Sequence, residues 1–223
     1  MSSSPSTNRR PAWLVPLAVA ALLALHYALA VGSKLQQSTT SDEIVHLTGG
    51  YTFDALHDYR LHPENGVLPQ RWAALPTALR GAKYPPLDPV DWATSAARVM
   101  GRQFFYETSE DHFTKLMAGR AMIALFSVAT GLLVFWWSRY FFGNAGGFVS
   151  LGFFVFSPTF LAHGALATSD ACMTFFFLAS VTMWWRHLHD GRAATWWLSA
   201  VVFGLACVAK FSAPFLLPMM VAM

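Results

Sequence analysis

The sequence has few charged residues for its length. Lys, Arg, Asp and Glu make up only 12% of its 223 residues, whereas 55% are hydrophobic and the mean hydropathy is +0.40. Soluble domains carry about 25% charged residues. A chain with so little charge cannot cover itself with a solvated surface, so we expect lipid to be its solvent.

Other features are also scarce. There are two cysteines, Cys172 and Cys207, both inside apolar runs. They are typical of small buried hydrophobic residues, although a disulfide between them stays open at this stage. The net charge is only +3 and the basic residues stand singly between apolar runs. This pattern does not indicate a nucleic-acid surface, so no nucleic-acid partner is expected.

Six apolar runs predict membrane-spanning helices, because about 20 apolar residues cross the hydrocarbon core of a bilayer. The runs are Trp13–Val31, Leu116–Tyr140, Ala145–Thr168, Ala171–Trp185, Ala194–Ala209 and Phe211–Met223. We interpret the chain as the N-terminal part of a longer membrane protein, with the last helix truncated. A cleaved signal peptide is the alternative for the first run, which is longer than the usual apolar segment of about 7–15 residues.

Basic residues predict the orientation. Arg9, Arg10, Arg139, Arg186 and Arg192 fall on one side if the runs alternate in direction, and Trp pairs crowd the same ends. The positive-inside rule makes this side cytoplasmic, and the Trp pairs resemble an interfacial belt. We therefore expect a multi-pass protein of the cell inner membrane, surrounded by membrane lipids, with its site facing the periplasm or cell exterior.

The predicted fold class is an all-α polytopic transmembrane bundle with a long outer loop. The expected segments are a cytoplasmic tail at residues 1–12, a first transmembrane helix at 13–31, a periplasmic loop at 32–115 and about five further transmembrane helices within 116–223. Within the outer loop, Arg71–Arg80 and Trp92–Phe105 are predicted to form short amphipathic helices on the bilayer surface.

Three carboxylates stand at the ends of these runs. Asp42 and Glu43 follow the first run and Asp170 precedes the fourth, so all three should lie on the outer side. A carboxylate at a membrane face costs solvation energy and usually binds an ion, takes a proton or holds a substrate. The alternative for Asp42 and Asp170 is a first-turn or capping acid, which the helix dipole favours.

Several segments carry a resemblance to a known family. They are residues 41–51 (SDEIVHLTGGY), Arg120, and residues 157–164 (SPTFLAHG), 167–170 (ATSD) and 204–213 (GLACVAKFSA). In this order they resemble bacterial protein O-mannosyltransferase-like and aminoarabinose-transferase-like enzymes, which are glycosyltransferases of the GT-C fold. Residues 62–69 depart from the family's His-Pro-Pro-Leu-like element, since Glu64 and Asn65 follow Pro63.

The resemblance implies sugar transfer from a polyprenyl-phosphate donor to a protein or lipid acceptor at the periplasmic face. Asp42 would then be the catalytic base for the acceptor, with Glu43 as its support. Asp170 would orient the acceptor, or hold a divalent metal together with Asp42. A metal stays open, because two carboxylates with a histidine can bind Zn²⁺ or Mn²⁺ but the spacing forms no recognised metal motif.

The substrate-binding residues expected at the outer face are Arg120, Lys210, His46, Tyr51 and His62. Arg120 and Lys210 are candidates for the donor phosphate, because fixed cations stabilise the charge that develops on a leaving phosphate. Snorkelling of their side chains to the interface is the alternative.

Two other function classes remain. One is a multi-pass transporter or channel, and the other is a noncatalytic membrane protein of the same fold. A transporter is disfavoured because its binding residues usually lie near the membrane midplane, whereas the acids here stand at the ends of the runs.

Overall fold

A computed structural model describes residues 13–84, 88–107 and 111–223. All regular secondary structure in these residues is helical. The predicted cytoplasmic tail, residues 1–12, lies outside the described residues. In chain order the helices are α1 (Leu14–Gly32), α2 (Ser41–Ala55), α3 (Val67–Leu79), α4 (Pro89–Ala93), α5 (Ala97–Tyr106), α6 (His112–Val155), α7 (Pro158–His163), α8 (Asp170–Asp190), α9 (Ala193–Ala209) and α10 (Leu216–Ala222).

Helices α1 and α6 are, among the described residues, the two that are long and apolar enough to cross a membrane. α1 has 19 residues and α6 has 44. Helices α8 and α9 coincide with the fourth and fifth predicted runs, and that they also span a bilayer stays a prediction.

Helix α6 is a hairpin, not a single rod. Gly143 interrupts it with a φ of 67°, a conformation that glycine adopts without steric cost. The rings of Phe135 and Phe148 then lie 5.3 Å apart, and Ser138 Oγ donates to Ser150 Oγ at 2.8 Å. Residue numbers rise along one arm as they fall along the other, so the arms are antiparallel. The break falls between the second and third predicted runs.

The third and sixth predicted runs are not continuous helices. The second arm of α6 ends at Val155, and the short helix α7 restarts at Pro158. A proline disfavours helical geometry in the residue before it, which explains a boundary at this point. In the sixth run a 3₁₀ turn at Ala213–Phe215, containing Pro214, precedes the seven residues of α10.

Helix α1 packs antiparallel against the first arm of α6. Val19 and Phe135 share one buried cluster, and Ala30 and Ala124 share another further along. Between them His26 Nδ1–H donates to the carbonyl of Val155 at 3.1 Å, so its Nε2 accepts from Ser127 Oγ at 2.8 Å. His26 therefore joins α1 to both arms of α6.

The outer segment packs as a layer of helices, α2 to α5. Helix α2 was not expected as a helix, and ten of its fifteen residues are buried. It approaches α3 very closely, because a Cβ added at Gly50 would lie 2.0 Å from the carbonyl oxygen of Gln70. Helix α3 matches the first predicted amphipathic helix, whereas the second is split into α4 and α5 at Ser95, which has a φ of 55°. Met100, Phe104 and Phe105 of α5 are buried in the protein.

Helices α8 and α9 form a second antiparallel hairpin, which turns at Gly191 with a φ of 62°. Cys172 is buried in their shared cluster, whereas Cys207 is exposed. Both cysteines are free, so the disulfide left open by the sequence is absent here.

Candidate active site

One end of the helical bundle gathers the segments that were predicted to lie outside the membrane. Lys34, after α1, donates to the carbonyl of Ala162 at 2.7 Å. The backbone N–H of Ala167, before α8, donates to Glu43 Oε1 at 3.0 Å. The two hairpin turns, at Gly143 and Gly191, lie at the other ends of the same helices. The structure thus brings the starts of α2 and α8 together.

A buried ion pair joins these segments. Arg120 Nε and Nη2 donate to the two carboxylate oxygens of Glu43, each at 2.8 Å. The three remaining N–H groups of Arg120 donate to the carbonyls of Lys34, Gln37 and Ser38 at 2.9–3.0 Å. Both side chains are 0% exposed. All five guanidinium donors are therefore used inside the protein.

The carboxylate of Glu43 also caps α2. Thr40 accepts from the backbone N–H of Glu43, and the backbone N–H of Thr40 donates back to Glu43 Oε2, which is a capping box. Burial alone raises the pKa of Glu43. The bonds from Arg120, Thr40 and Ala167 outweigh it, so the pKa lies below its ordinary value. Glu43 is therefore ionised at neutral pH.

This arrangement differs from the predicted contacts with substrate. Neither Glu43 nor Arg120 lines the neighbouring pocket, and their donors and acceptors already have partners. The pair connects α2, the segment after α1 and the first arm of α6. Its geometry suits a positioning role for the residues beside it.

A pocket of about 440 Å³ lies at this end of the bundle. We call it the outer pocket. Its walls come from α2, the segment between α2 and α3, the start of α5, the start of α8 and the end of α9. They are formed by Asp42, Val45, His46, His62, Glu64, Asn65, residues 95–99, residues 168–170 and Lys210. Five of the eight site residues predicted from sequence therefore meet in one cavity.

Asp42 and Asp170 enter the outer pocket from two helix starts. Both are exposed and lie in the first turns of α2 and α8. They are therefore first-turn acids, which was the alternative predicted for them, and they also line the pocket. Consecutive residues on a helix point about 100° apart, which is why Glu43 faces inward while its neighbour Asp42 faces the pocket. Asp42 accepts a hydrogen bond from Ser41 Oγ at 3.3 Å.

Lys210 forms an ion pair with Asp170. Its Nζ lies 2.5 Å from Asp170 Oδ1, and the two side chains are 35% and 59% exposed. Lys210 ends α9, where the backbone leaves the helix in an extended conformation. Its ammonium thus reaches across to α8 within the pocket. An ammonium has three donors, so donors remain for a ligand.

Two histidines form another wall of the outer pocket. The rings of His46 and His62 are 5.0 Å apart, edge to face. Asn65 Nδ2 donates to His62 Nε2 at 2.9 Å, which leaves the ring proton on Nδ1, 2.9 Å from Glu64 Oε1. Glu64 and Asn65, the departure from the family pattern, therefore hold His62 in place.

His46 is 4% exposed, and its Nδ1 has no hydrogen-bond partner among the described residues. Burial, and to a smaller extent the neighbouring His62, lower the pKa of His46 to about 4. Asp42 and Asp170 oppose this shift only in part. His46 is therefore a neutral imidazole at neutral pH.

Tyr51 does not line the outer pocket, in contrast to its predicted contact with substrate. It is 5% exposed, and its hydroxyl donates to the carbonyl of Ala82. Its ring packs against Phe104 and stacks on Tyr84, at centroid distances of 4.7 and 5.8 Å. Tyr51 belongs to the core that fastens α5 to α2.

The structure adds a cation to the pocket that the sequence did not single out. Arg98, in the first turn of α5, is exposed and lines the outer pocket. No sequence signal separates it from Arg102, one turn further along. Among the described residues, no three His, Cys, Asp or Glu side chains are grouped closely enough to hold a metal ion.

The described residues form a helical bundle with two helices long and apolar enough to cross a membrane and an acid-lined pocket at one end. A model of the dolichyl-phosphate-mannose-protein mannosyltransferase family matches residues 112–223, half of the chain. The chain belongs to this family, which confirms the resemblance stated above. No curated protein and no solved structure matches the chain.

The family assignment supports membrane glycosyltransferase activity in general, and it does not favour a transporter. The matched residues run from α6 to α10 and include Arg120, Asp170 and Lys210. Asp42 and the other residues of α2 precede the match. Their roles rest on the motif and on the geometry of the outer pocket.

Proposed function

We propose that the full-length protein transfers a sugar from a polyprenyl-phosphate donor to a hydroxyl of a protein or lipid acceptor, at the periplasmic face of the inner membrane. One observation carries this proposal. Asp42 and Asp170 come from different helices at the same end of the bundle and line one cavity beside Lys210. The cavity thus combines acids that can take a proton with a cation that can meet a phosphate.

Asp42 is the catalytic base in this proposal. It takes the proton of the acceptor hydroxyl as that oxygen forms its bond to the anomeric carbon of the sugar. The bond between this carbon and the phosphate oxygen breaks, and the polyprenyl phosphate leaves with the electron pair. General-base catalysis of this kind contributes typically about 10²–10⁴-fold.

Lys210 stabilises the leaving phosphate, because its unused donors can contact the oxygen on which negative charge develops. Asp170 fixes the direction of Lys210 through their ion pair and also faces the pocket. His46 contacts a hydroxyl of the sugar, and His62, whose two ring nitrogens are bonded to Asn65 and Glu64, supports the ring of His46. The neutral state of His46 suits this role, since a neutral imidazole has one donor and one acceptor.

Glu43 and Arg120 act as positioning residues. Their ion pair holds the segment between α1 and α2 through three backbone carbonyls. Glu43 also holds the segment before α8, because it accepts from the backbone N–H of Ala167. The carboxylates of the outer pocket are attached to these two segments. A fixed geometry of reacting groups is itself a large part of catalysis, because misplacement by about 1 Å can cost about 10²-fold.

The proposal is tested with the purified full-length protein and a labelled sugar on either a polyprenyl phosphate or a nucleotide. We expect label to reach the acceptor only from the lipid donor. Asp42→Asn/Asp170→Asn, which removes both carboxylates of the pocket, should abolish that transfer. Failure of the parent protein to use any lipid-phosphate donor, or transfer by the double variant at the parent rate, would contradict the proposal.

A further inference from the structure

We propose that Arg98, together with the first turn of α5, forms the part of the outer pocket that binds a phosphate anion. The identity of the ligand, the phosphate of the lipid-linked donor, rests on the proposed function. The anion subsite itself rests on the structure alone.

The two cations predicted from the sequence to bind phosphate, Arg120 and Lys210, both have partners inside the protein. Arg120 is 0% exposed and donates all five of its N–H groups to Glu43 and to backbone carbonyls. Lys210 shares its charge with Asp170 at 2.5 Å. With Asp42 and Glu64 also in the wall, Lys210 alone does not offset the carboxylates that an incoming phosphate would meet.

Arg98 is the second cation in the wall of the outer pocket. Its side chain is exposed, and the residue lines the outer pocket. No hydrogen bond or ion pair joins Arg98 to any other residue in the described part of the chain. A guanidinium has a planar set of donors that matches two oxygens of a phosphate. Arg98 can therefore engage a ligand without first breaking an internal bond.

The backbone around Arg98 favours the same kind of ligand. α5 begins at Ala97, and its N-cap residue, Ala96, has no side chain that could accept from the first turn. The N–H groups of Arg98 and Val99 lie in that turn, before the first internal helix bonds can use them. Residues 95–99 line the pocket. Free N–H groups and the positive end of the helix dipole together attract anions.

The part of the outer pocket formed by α2 provides an independent sign of a ligand. His46 is 96% buried, yet its Nδ1 has no partner among the described residues, and the residue lines the same pocket. Buried polar groups in proteins are almost always hydrogen-bonded, so an unpartnered one in a pocket wall points to a missing ligand or water. A neutral imidazole can donate one N–H to a phosphate oxygen.

The test compares dissociation constants in one detergent for the full-length parent, Arg98→Gln, Arg98→Lys and Arg102→Gln. The probes are a polyprenyl phosphate, the matching polyprenol and inorganic phosphate as competitor. Arg102 is the matched control, because it is exposed on the same helix and does not line the pocket. Folding of each variant is checked by its melting temperature.

We expect Arg98→Gln to weaken binding of the polyprenyl phosphate at least about fivefold, as loss of a charge-assisted bond implies. Arg98→Lys should lie between parent and Arg98→Gln, and Arg102→Gln should match the parent. Polyprenol affinity should be the same in all four. Competition by inorganic phosphate would indicate recognition of free phosphate, and its absence would indicate a lipid-borne phosphate.

Equal affinity of the parent and Arg98→Gln for the polyprenyl phosphate would overturn the inference. An equal loss of polyprenol affinity would overturn it too, because the effect would then concern the hydrocarbon chain. A parent that binds polyprenyl phosphate through Arg98 but transfers no sugar would support the subsite while contradicting the transferase proposal.

Discussion

Removal of the Arg120 guanidinium should destabilise the protein far more than removal of a surface arginine. In Arg120→Met the carboxylate of Glu43 stays buried and loses two charge-assisted bonds, and three backbone carbonyls lose their donor. Breaking a buried ion pair by removing one partner costs about 3–5 kcal/mol. This cost is the desolvation of the charge that remains, not the strength of the pair.

Arg71→Met is the matched control. Arg71 also bonds a carboxylate, Asp54 Oδ1 at 2.6 Å, and the two side chains are 50% and 10% exposed. Because the guanidinium of Arg71 stays in contact with water, this pair should contribute less than the fully buried one. The assay is the free energy of unfolding of both variants in the same detergent, with the transfer rate measured alongside. Glu43→Gln/Arg120→Met should be more stable than Arg120→Met, since no buried charge is left alone. A cost for Arg120→Met no larger than that for Arg71→Met would refute this reasoning.

Three further predictions concern pH, donor binding and topology. The pKa of His46 is about 4 in the folded protein and about 6.5 in the unfolded chain, so between these pH values the unfolded chain binds the additional proton. The free energy of unfolding should therefore fall as pH drops from about 6.5 to 4. His46→Phe should flatten that part of a melting-temperature profile. Lys210→Met should raise the Michaelis constant for the lipid donor by about tenfold or more, with Lys210→Arg intermediate. A cysteine placed in α4 or α5 should react with an impermeant thiol reagent in intact cells, whereas one near Gly191 should not; the reverse pattern would invert the proposed orientation.

The sequence predicts the helices of the bundle well because their signal is local. Long apolar segments place α1, α8 and α9 within a few residues, and a glycine between two such segments marks the turn of α6. The failures are local as well. Pro158 begins α7 after a break, and Pro214 lies in the 3₁₀ turn before α10, within runs that composition alone predicts to be continuous helices.

Helix α2 could not be predicted from periodicity. It is buried around most of its circumference, between α3 and α5, so its sequence shows no apolar stripe. Its start does carry a local signal, because Thr40 followed by Glu43 three residues later is a capping box. That signal could have identified the first turn.

The pocket was only partly predictable for a different reason. That Asp42 and Asp170 share a side follows from the alternation of helices. Arg120 pairs with Glu43 and does not line the pocket. This contact joins residues 77 positions apart, which local sequence patterns do not reveal. Arg98 and Arg102 look alike in sequence, and only the packing of α5 decides which one faces the cavity.

The most direct test of the central claim is the turnover rate of Asp42→Asn in the full-length protein at saturating lipid donor. The asparagine keeps the size and hydrogen bonding of Asp42 but cannot take a proton. Asp91→Asn is the control, because it removes a first-turn acid of α4 that does not line the pocket. We predict that Asp42→Asn loses at least about 10²-fold in turnover at normal expression, while Asp91→Asn retains the parent rate. Near-parent turnover by Asp42→Asn would show that Asp42 is not the base.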